Sequence, residues 1–157
     1  MKELILKSTI QVAQFEELAD IEQKLIEEAK RSTYNSYAPY SHFHVGAAIL
    51  LKNGVIVPGC NQENAAFPAG LCAERSAIFA AGAQYPDQAV TLLAIAVRNS
   101  KGEFLEEPAS PCGSCRQVII ETETRFKQPI RILLYGTKCT YIMDGIKQLM
   151  PLSFTEF

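Results

Sequence analysis

The 157-residue sequence predicts an α/β fold, a three-layer α/β/α sandwich with one central mixed sheet. Two observations carry that prediction. Short apolar runs rich in β-branched residues alternate along the chain with segments of helical periodicity, and Gly, Pro, Asn or Asp punctuates most of the changes between them. The resulting order is helix, strand, strand, helix, strand, helix, strand, strand, helix.

Each element has its own signal. Phe15, Leu18, Ile21, Leu25, Ile26 and Ala29 recur at spacings of three and four between charged residues, which predicts an amphipathic helix over about 15–33. "NSYAPYS" breaks it. "FHVGAAILL" and "VIVPG" flank "KNG" and read as a hairpin, because Asn and Gly tolerate the positive φ of a tight turn. An Ala-rich segment from Cys72 to about Ala83 reads as the second helix, ended by "YPD", and "TLLAIAV" as a buried strand closed by "NSKG". Pro111 suits the first turn of a third helix, where a missing N–H costs nothing. "IRILLY" and "CTYIM" follow as strands, and Asp144 to Met150 as a short helix stopped by Pro151. With no repeat, linker or low-complexity tract, the chain reads as one domain over 1–157, preceded within it by an N-terminal arm over 1–14.

Composition narrows the function classes. Apolar residues at 48% and charged residues at 20% are ordinary for an ordered globular chain. A net charge of −2 without a Lys or Arg cluster argues against nucleic acid as a partner. The apolar stretch Val45 to Leu51 is far short of the roughly 20 residues that span a bilayer, and "MKELILKS" carries charges where a signal peptide needs apolar residues. The expected location is cytoplasmic, with no membrane contact. There, closely spaced cysteines mean metal or catalysis more often than disulfides, and this chain has five.

Cys112 and Cys115 form C-x-x-C at a helix start, where the helix dipole favours thiolate. Such a pair can be a redox couple, half of a four-ligand structural zinc site, or two of three ligands of a catalytic zinc whose fourth position is open. A redox pair of the thioredoxin type usually follows an aromatic, and the chain has no Trp. The other two readings share Cys72 as a further ligand. Cys60 and Cys139 lack knuckle spacing and read as packing residues, and His42 and His44, two apart on one strand face, as non-ligands.

Glu74 distinguishes catalysis from structure. A site that only holds a fold together has no use for a carboxylate two residues from a ligand, whereas zinc-activated water needs a proton acceptor. Arg75, three residues after Cys72, lies on the same helical face and can hydrogen-bond the sulfurs. Three thiolates would leave zinc with net negative charge and weaken it as a Lewis acid; a guanidinium restores the acidity.

Together with "NQEN", these residues resemble the zinc-dependent cytidine deaminases of the short, three-cysteine, homotetrameric type. Zinc deaminases as a class carry H-x-E and P-C-x-x-C, with a Glu that is not a ligand; here Cys72 stands where that pattern has His. The likeness runs through "YSHFHVGAA", "GCNQENAAF", "GLCAERSAIF", "SPCGSCRQVI" and "LMPLSF", over about 35–154. It implies one Zn²⁺ per subunit on Cys72, Cys112 and Cys115, Glu74 as proton shuttle, and Arg75 balancing thiolate charge. It also implies that Asn61 and Glu63 hold the ribose 3′-hydroxyl, Phe43 walls the pocket, the backbone at Ala73 and Ser110 holds the pyrimidine amide edge, and Phe154 reaches a neighbouring subunit.

The implied reaction is hydrolytic deamination of cytidine and deoxycytidine to uridine and deoxyuridine plus ammonia, in pyrimidine salvage. The implied assembly is a homotetramer with shared active sites. This sequence departs from short members in a longer Cys72–Cys112 segment, an added arm before Phe15, and Phe67 where Tyr is common. The rivals are a deaminase of a related aminopyrimidine compound and a non-catalytic zinc module with a fourth protein ligand.

Overall fold

The structure, a computed structural model, describes residues 1–155. Its six strands form one sheet. They are β1 (Gln11–Ala13), β2 (His44–Leu51), β3 (Ile56–Cys60), β4 (Val90–Arg98), β5 (Arg131–Tyr135) and β6 (Thr140–Asp144), in the order β1-β6-β5-β4-β2-β3. β4 and β5 pair in parallel and every other neighbouring pair is antiparallel, so the sheet is mixed. The parallel pair is joined by a helical crossover, as parallel strands require.

Strand alternation sorts the core into two halves. Ala48, Ala94, Ala96 and Leu133 point to one face, where α1 (Asp20–Ser32) lays down Leu25, Ile26 and Ala29. Ala47, Ile49, Leu93, Ile95 and Ile132 point to the other, against α2 (Ala73–Gln84) and α3 (Gly113–Phe126) through Ala77, Ile78, Ile119 and Ile120. The face under α1 is floored by alanines, and α1 sits so close that a Cβ on Gly46 would lie 2.0 Å from the Ala29 carbonyl oxygen. Leu25, Ile26, Leu93 and Ile119 are fully buried, and each such side chain contributes roughly 1.5–3 kcal/mol by leaving water. The three-layer α/β/α arrangement predicted from the sequence is therefore present.

Several boundaries differ from the sequence reading. The first helix begins at Asp20, not Phe15: a 3-10 turn at Phe15–Glu17 precedes it, and the Glu22 carboxylate accepts the Ala19 N–H at 3.0 Å to start α1 afresh. The arm before Phe15 is not merely an appendage, because Gln11–Ala13 pairs with β6 as the outermost strand. Pro111 lies before the third helix, whose N-cap is Cys112. The helix expected over Asp144 to Met150 shrinks to one 3-10 turn, Ile146–Gln148, since β6 runs through Asp144 and Gly145 turns the chain at φ 99°. His42 and His44 do not share a strand face: His42 sits in a left-handed turn at φ 53°, and His44 opens β2 with its Nδ1 2.5 Å from the Ser36 hydroxyl.

Candidate active site

Two helix N-termini converge beside the central strands. Cys72 is the N-cap of α2, Cys112 is the N-cap of α3, and Cys115 lies in the first turn of α3. Both caps are in extended backbone, so each cysteine stands at the positive end of its helix dipole, where a thiolate is favoured. The sulfurs of Cys72, Cys112 and Cys115 all lie within 4.8 Å of one another, with Cys72 Sγ 3.8 Å from Cys112 Sγ. Among the described residues this is the one group of three His, Cys, Asp or Glu able to hold a metal ion, and no fourth protein ligand joins it.

The arginine predicted to balance the thiolates is in place, its Nη2 donating to Cys72 Sγ at 3.5 Å. Its buried Nε has no partner. Hydrogen bonding from Cys115, then from Arg75 and Cys112, outweighs burial and brings Cys72 down to about 5. The Cys115 thiol is pushed up, first because its proton serves the Cys72 sulfur and then by burial and the Glu74 charge. A divalent cation reverses that balance, and three convergent sulfurs of this kind suit zinc.

Glu74, in the first turn of α2, is 4% exposed and lines the same cavity as Cys72 and Cys112. Burial is the main cause that pushes its carboxyl up. A buried carboxyl that holds its proton more tightly than an exposed one can both receive and return a proton.

The cavity over this cluster measures about 980 Å³ and is lined by Phe43, Asn61, Glu63, Val97 and Ser110 among others. Asn61 and Glu63 follow β3, and both side chains hold the loop on the far wall. The Asn61 amide donates to the Phe43 carbonyl at 2.9 Å and accepts from the Val45 N–H at 2.8 Å. The Glu63 carboxylate accepts the Tyr40 N–H at 2.8 Å, the Ser41 N–H at 3.3 Å, and the Ser41 hydroxyl. Ala73 is fully buried at the start of α2. Phe154 lies outside this cavity lining and is 64% exposed, and its carbonyl accepts from Gln117 Nε2 at 2.8 Å.

Cys60 and Cys139 are partly buried and stand outside the metal-binding group; Gln62 Nε2 lies 3.3 Å from Cys60 Sγ. Three contributors to the site escape the sequence reading. Tyr40 and Ser41 meet Glu63 across 23 and 22 positions, and no local pattern signals that contact. Arg116 donates to the Pro111 carbonyl at 2.9 Å and the Leu149 carbonyl at 2.8 Å, tying the turn before Cys112 to the C-terminal segment. Its place directly after Cys115 was the available hint.

An α/β sandwich that presents three thiols, a buried carboxylate and a guanidinium at the mouths of two helices defines a zinc enzyme of hydrolytic type. The comparisons with known proteins agree. Residues 19–127 match the family described as the cytidine and deoxycytidylate deaminase zinc-binding region. A curated cytidine deaminase of Sporosarcina psychrophila is 47% identical over 99 residues, covering 63% of this chain and 68% of that protein. One from Halalkalibacterium halodurans is 43% identical over 99 residues, covering 63% and 70%. The crystal structure of cytidine deaminase from Burkholderia pseudomallei superposes with a TM-score of 0.71 at 35% identity, over 83% of this chain and 97% of that one. The chain belongs to the cytidine and deoxycytidylate deaminase family of zinc-binding proteins.

Proposed function

We propose that this chain hydrolyses cytidine and deoxycytidine to uridine and deoxyuridine with release of ammonia, a step of pyrimidine salvage in the cytoplasm. The observation that carries the reading is the Glu74 carboxylate, 4% exposed, beside three sulfurs within 4.8 Å of one another at the base of a cavity large enough for a nucleoside. Cys72, Cys112 and Cys115 would hold Zn²⁺. When bound, it supplies the Lewis acidity that makes water a nucleophile near neutral pH.

The remaining work falls to the chain's own residues. Glu74 takes the proton of the attacking water on a carboxylate oxygen, delivers it to N3 of cytosine as C4 is attacked, and then helps protonate the departing amine. Burial that raises its carboxyl supports both directions of transfer. Arg75 keeps the thiolates from accumulating negative charge through its bond to Cys72. Ala73 and Ser110 hold the amide edge of the pyrimidine with backbone groups, and Phe43 walls the base in. Asn61 and Glu63 bind the 3′-hydroxyl, one donating and the other accepting.

One domain spans 1–157 with its arm at 1–14, and the working assembly is a homotetramer with shared sites. Exposed Phe67 at 92% and Phe154 at 64% support that reading, since large apolar side chains at a cavity rim and on a C-terminal segment favour burial against another copy. All five cysteines are free, and no helix among the described residues is long and apolar enough to cross a membrane. A solvated small nucleoside is the expected partner, with no nucleic acid and no membrane.

The test is uridine release from cytidine by purified protein, followed by the absorbance change on deamination. Activity should vanish with a strong chelator and return with Zn²⁺. Zinc-loaded protein that releases no uridine would refute the activity, and full activity in metal-free protein would refute the metal's part in it.

A further inference from the structure

We propose that Ser41 is a positioning residue for sugar recognition: its side chain fixes the Glu63 carboxylate so that a single acceptor position is left facing the cavity. This rests on the reading of Asn61 and Glu63 as contacts to the sugar.

The argument is one of hydrogen-bonding capacity. A carboxylate offers about four lone-pair positions. On Glu63 three are taken: Oε2 by the Tyr40 and Ser41 N–H groups at 2.8 and 3.3 Å, and Oε1 by the Ser41 hydroxyl. The Asn61 amide nitrogen has two hydrogens and spends one on the Phe43 carbonyl at 2.9 Å. One acceptor position and one N–H therefore remain, and a lone hydroxyl, both donor and acceptor, satisfies the two together. A carboxylate free to rotate would offer no such fixed pairing.

Ser41 is placed to fix that geometry. Its hydroxyl gives its only hydrogen to Glu63 and accepts the Phe43 N–H at 3.1 Å, so one side chain sets both the carboxylate and the start of the aromatic wall. The loop that carries it is held by the left-handed turn at His42 and by the His42 N–H donating to the Ala38 carbonyl at 3.1 Å. The Ser41 hydroxyl is also the first cause of the Glu63 carboxyl lying below its ordinary range, ahead of the backbone donors. Ser41 is exposed and contributes nothing to the core, so removing its hydroxyl tests positioning and not packing.

The experiment compares cytidine with 3′-deoxycytidine, using zinc-loaded wild type, Ser41→Ala, Ser41→Thr and Glu63→Ala. With cytidine, Ser41→Ala should raise KM about 3- to 10-fold and leave kcat within about twofold, because the backbone donors still hold the carboxylate in part. KM for 3′-deoxycytidine should not move, so discrimination between the two shrinks by the same factor. Ser41→Thr, which keeps the hydroxyl, should restore it, and adding Ser41→Ala to Glu63→Ala should change nothing further. If Glu63→Ala loses discrimination while Ser41→Ala keeps it, Ser41 is not a positioning residue and the sugar reading stands. If Glu63→Ala discriminates as well as wild type, the sugar reading itself fails, and the role of Ser41 with it.

Discussion

Replacing Gly59 by Ala should disable the metal site from a strand that contributes no ligand to it. Gly59 lies in β3, and α2 crosses it so closely that a Cβ would stand 2.5 Å from the Ala73 carbonyl oxygen, 2.5 Å from the Ala77 nitrogen and 2.9 Å from the Ala77 Cα. Ordinary contact begins near 3.4 Å, so the start of α2 must retreat by about 1 Å. Those neighbours are backbone and cannot swing aside. Cys72, Glu74 and Arg75 travel with α2, whereas Cys112 and Cys115 stay with α3. Zinc–sulfur distances tolerate about 0.2 Å, so the shift exceeds the tolerance several-fold.

The expected outcome is a stability loss of about 1–3 kcal/mol, zinc affinity lower by roughly 10- to 100-fold, and kcat/KM lower by about 100-fold even at saturating zinc. Chelator competition, urea titration and turnover measure the three. Gly82→Ala on the same helix is the control, since a Cβ there meets nothing within 4 Å; it should stabilise by about 0.4–1 kcal/mol and leave zinc affinity alone. A Gly59→Ala protein with wild-type zinc affinity and turnover would refute the reasoning that β3 sets the position of α2.

Three other outcomes follow from the same coordinates. Glu74→Gln should retain zinc and melt within a few degrees of wild type, while kcat/KM falls by about 100- to 10,000-fold; retained turnover removes Glu74 from proton transfer. Lys30→Met should cost about 1–2 kcal/mol in urea titration with no change in kcat, because Lys30 Nζ sits 5.9, 5.3 and 5.1 Å from the ring centres of Phe15, Phe104 and Tyr135 on the α1 face; an unchanged midpoint would mean the rings gain nothing from the charge. Burial raises the Glu123 carboxyl above its ordinary 4.5, so the folded state holds that proton to higher pH than the unfolded chain does. Its contribution to stability must then decline as pH rises from about 4.5 through the higher folded value. Glu123→Gln, which can still accept from the Ile130 and Ile146 N–H groups, should flatten that decline, and an unaltered slope in urea midpoints against pH would sink the assignment.

What the sequence disclosed and what it withheld divide along the range of the interactions. Hairpin β2–β3, α2 and β4 were readable because periodicity and turn residues act over a few positions, and the three cysteines with Glu74 and Arg75 were readable because ligand and helix spacings are local too. β1 was not: three residues carry no periodic signal, and the strand exists only because β6 offers an edge to pair with. Phe15 fits the apolar spacing of α1 but leaves the helix, packing its ring edge against Tyr135 at 6.4 Å instead. Pro111 was compatible with a first helical turn, yet Cys112 took the cap and Arg116 used the Pro111 carbonyl. The Ser41–Glu63 bond depends on the loop before β2 folding over the segment after β3, which no pattern in either stretch announces.

The thiols that gather at the two helix mouths are made at different times. Cys72 precedes Cys112 by 40 positions, and a ribosome adding about 5–20 residues per second needs roughly 2–8 s to cross that interval. α2 and β4 are synthesised in between, so the first ligand sulfur waits without its two partners in a nascent chain whose sheet is still growing. The three-sulfur group is therefore complete only once Cys115 has been added, by which point the segments of α2 and β4 already exist while β5 and β6 are still to come.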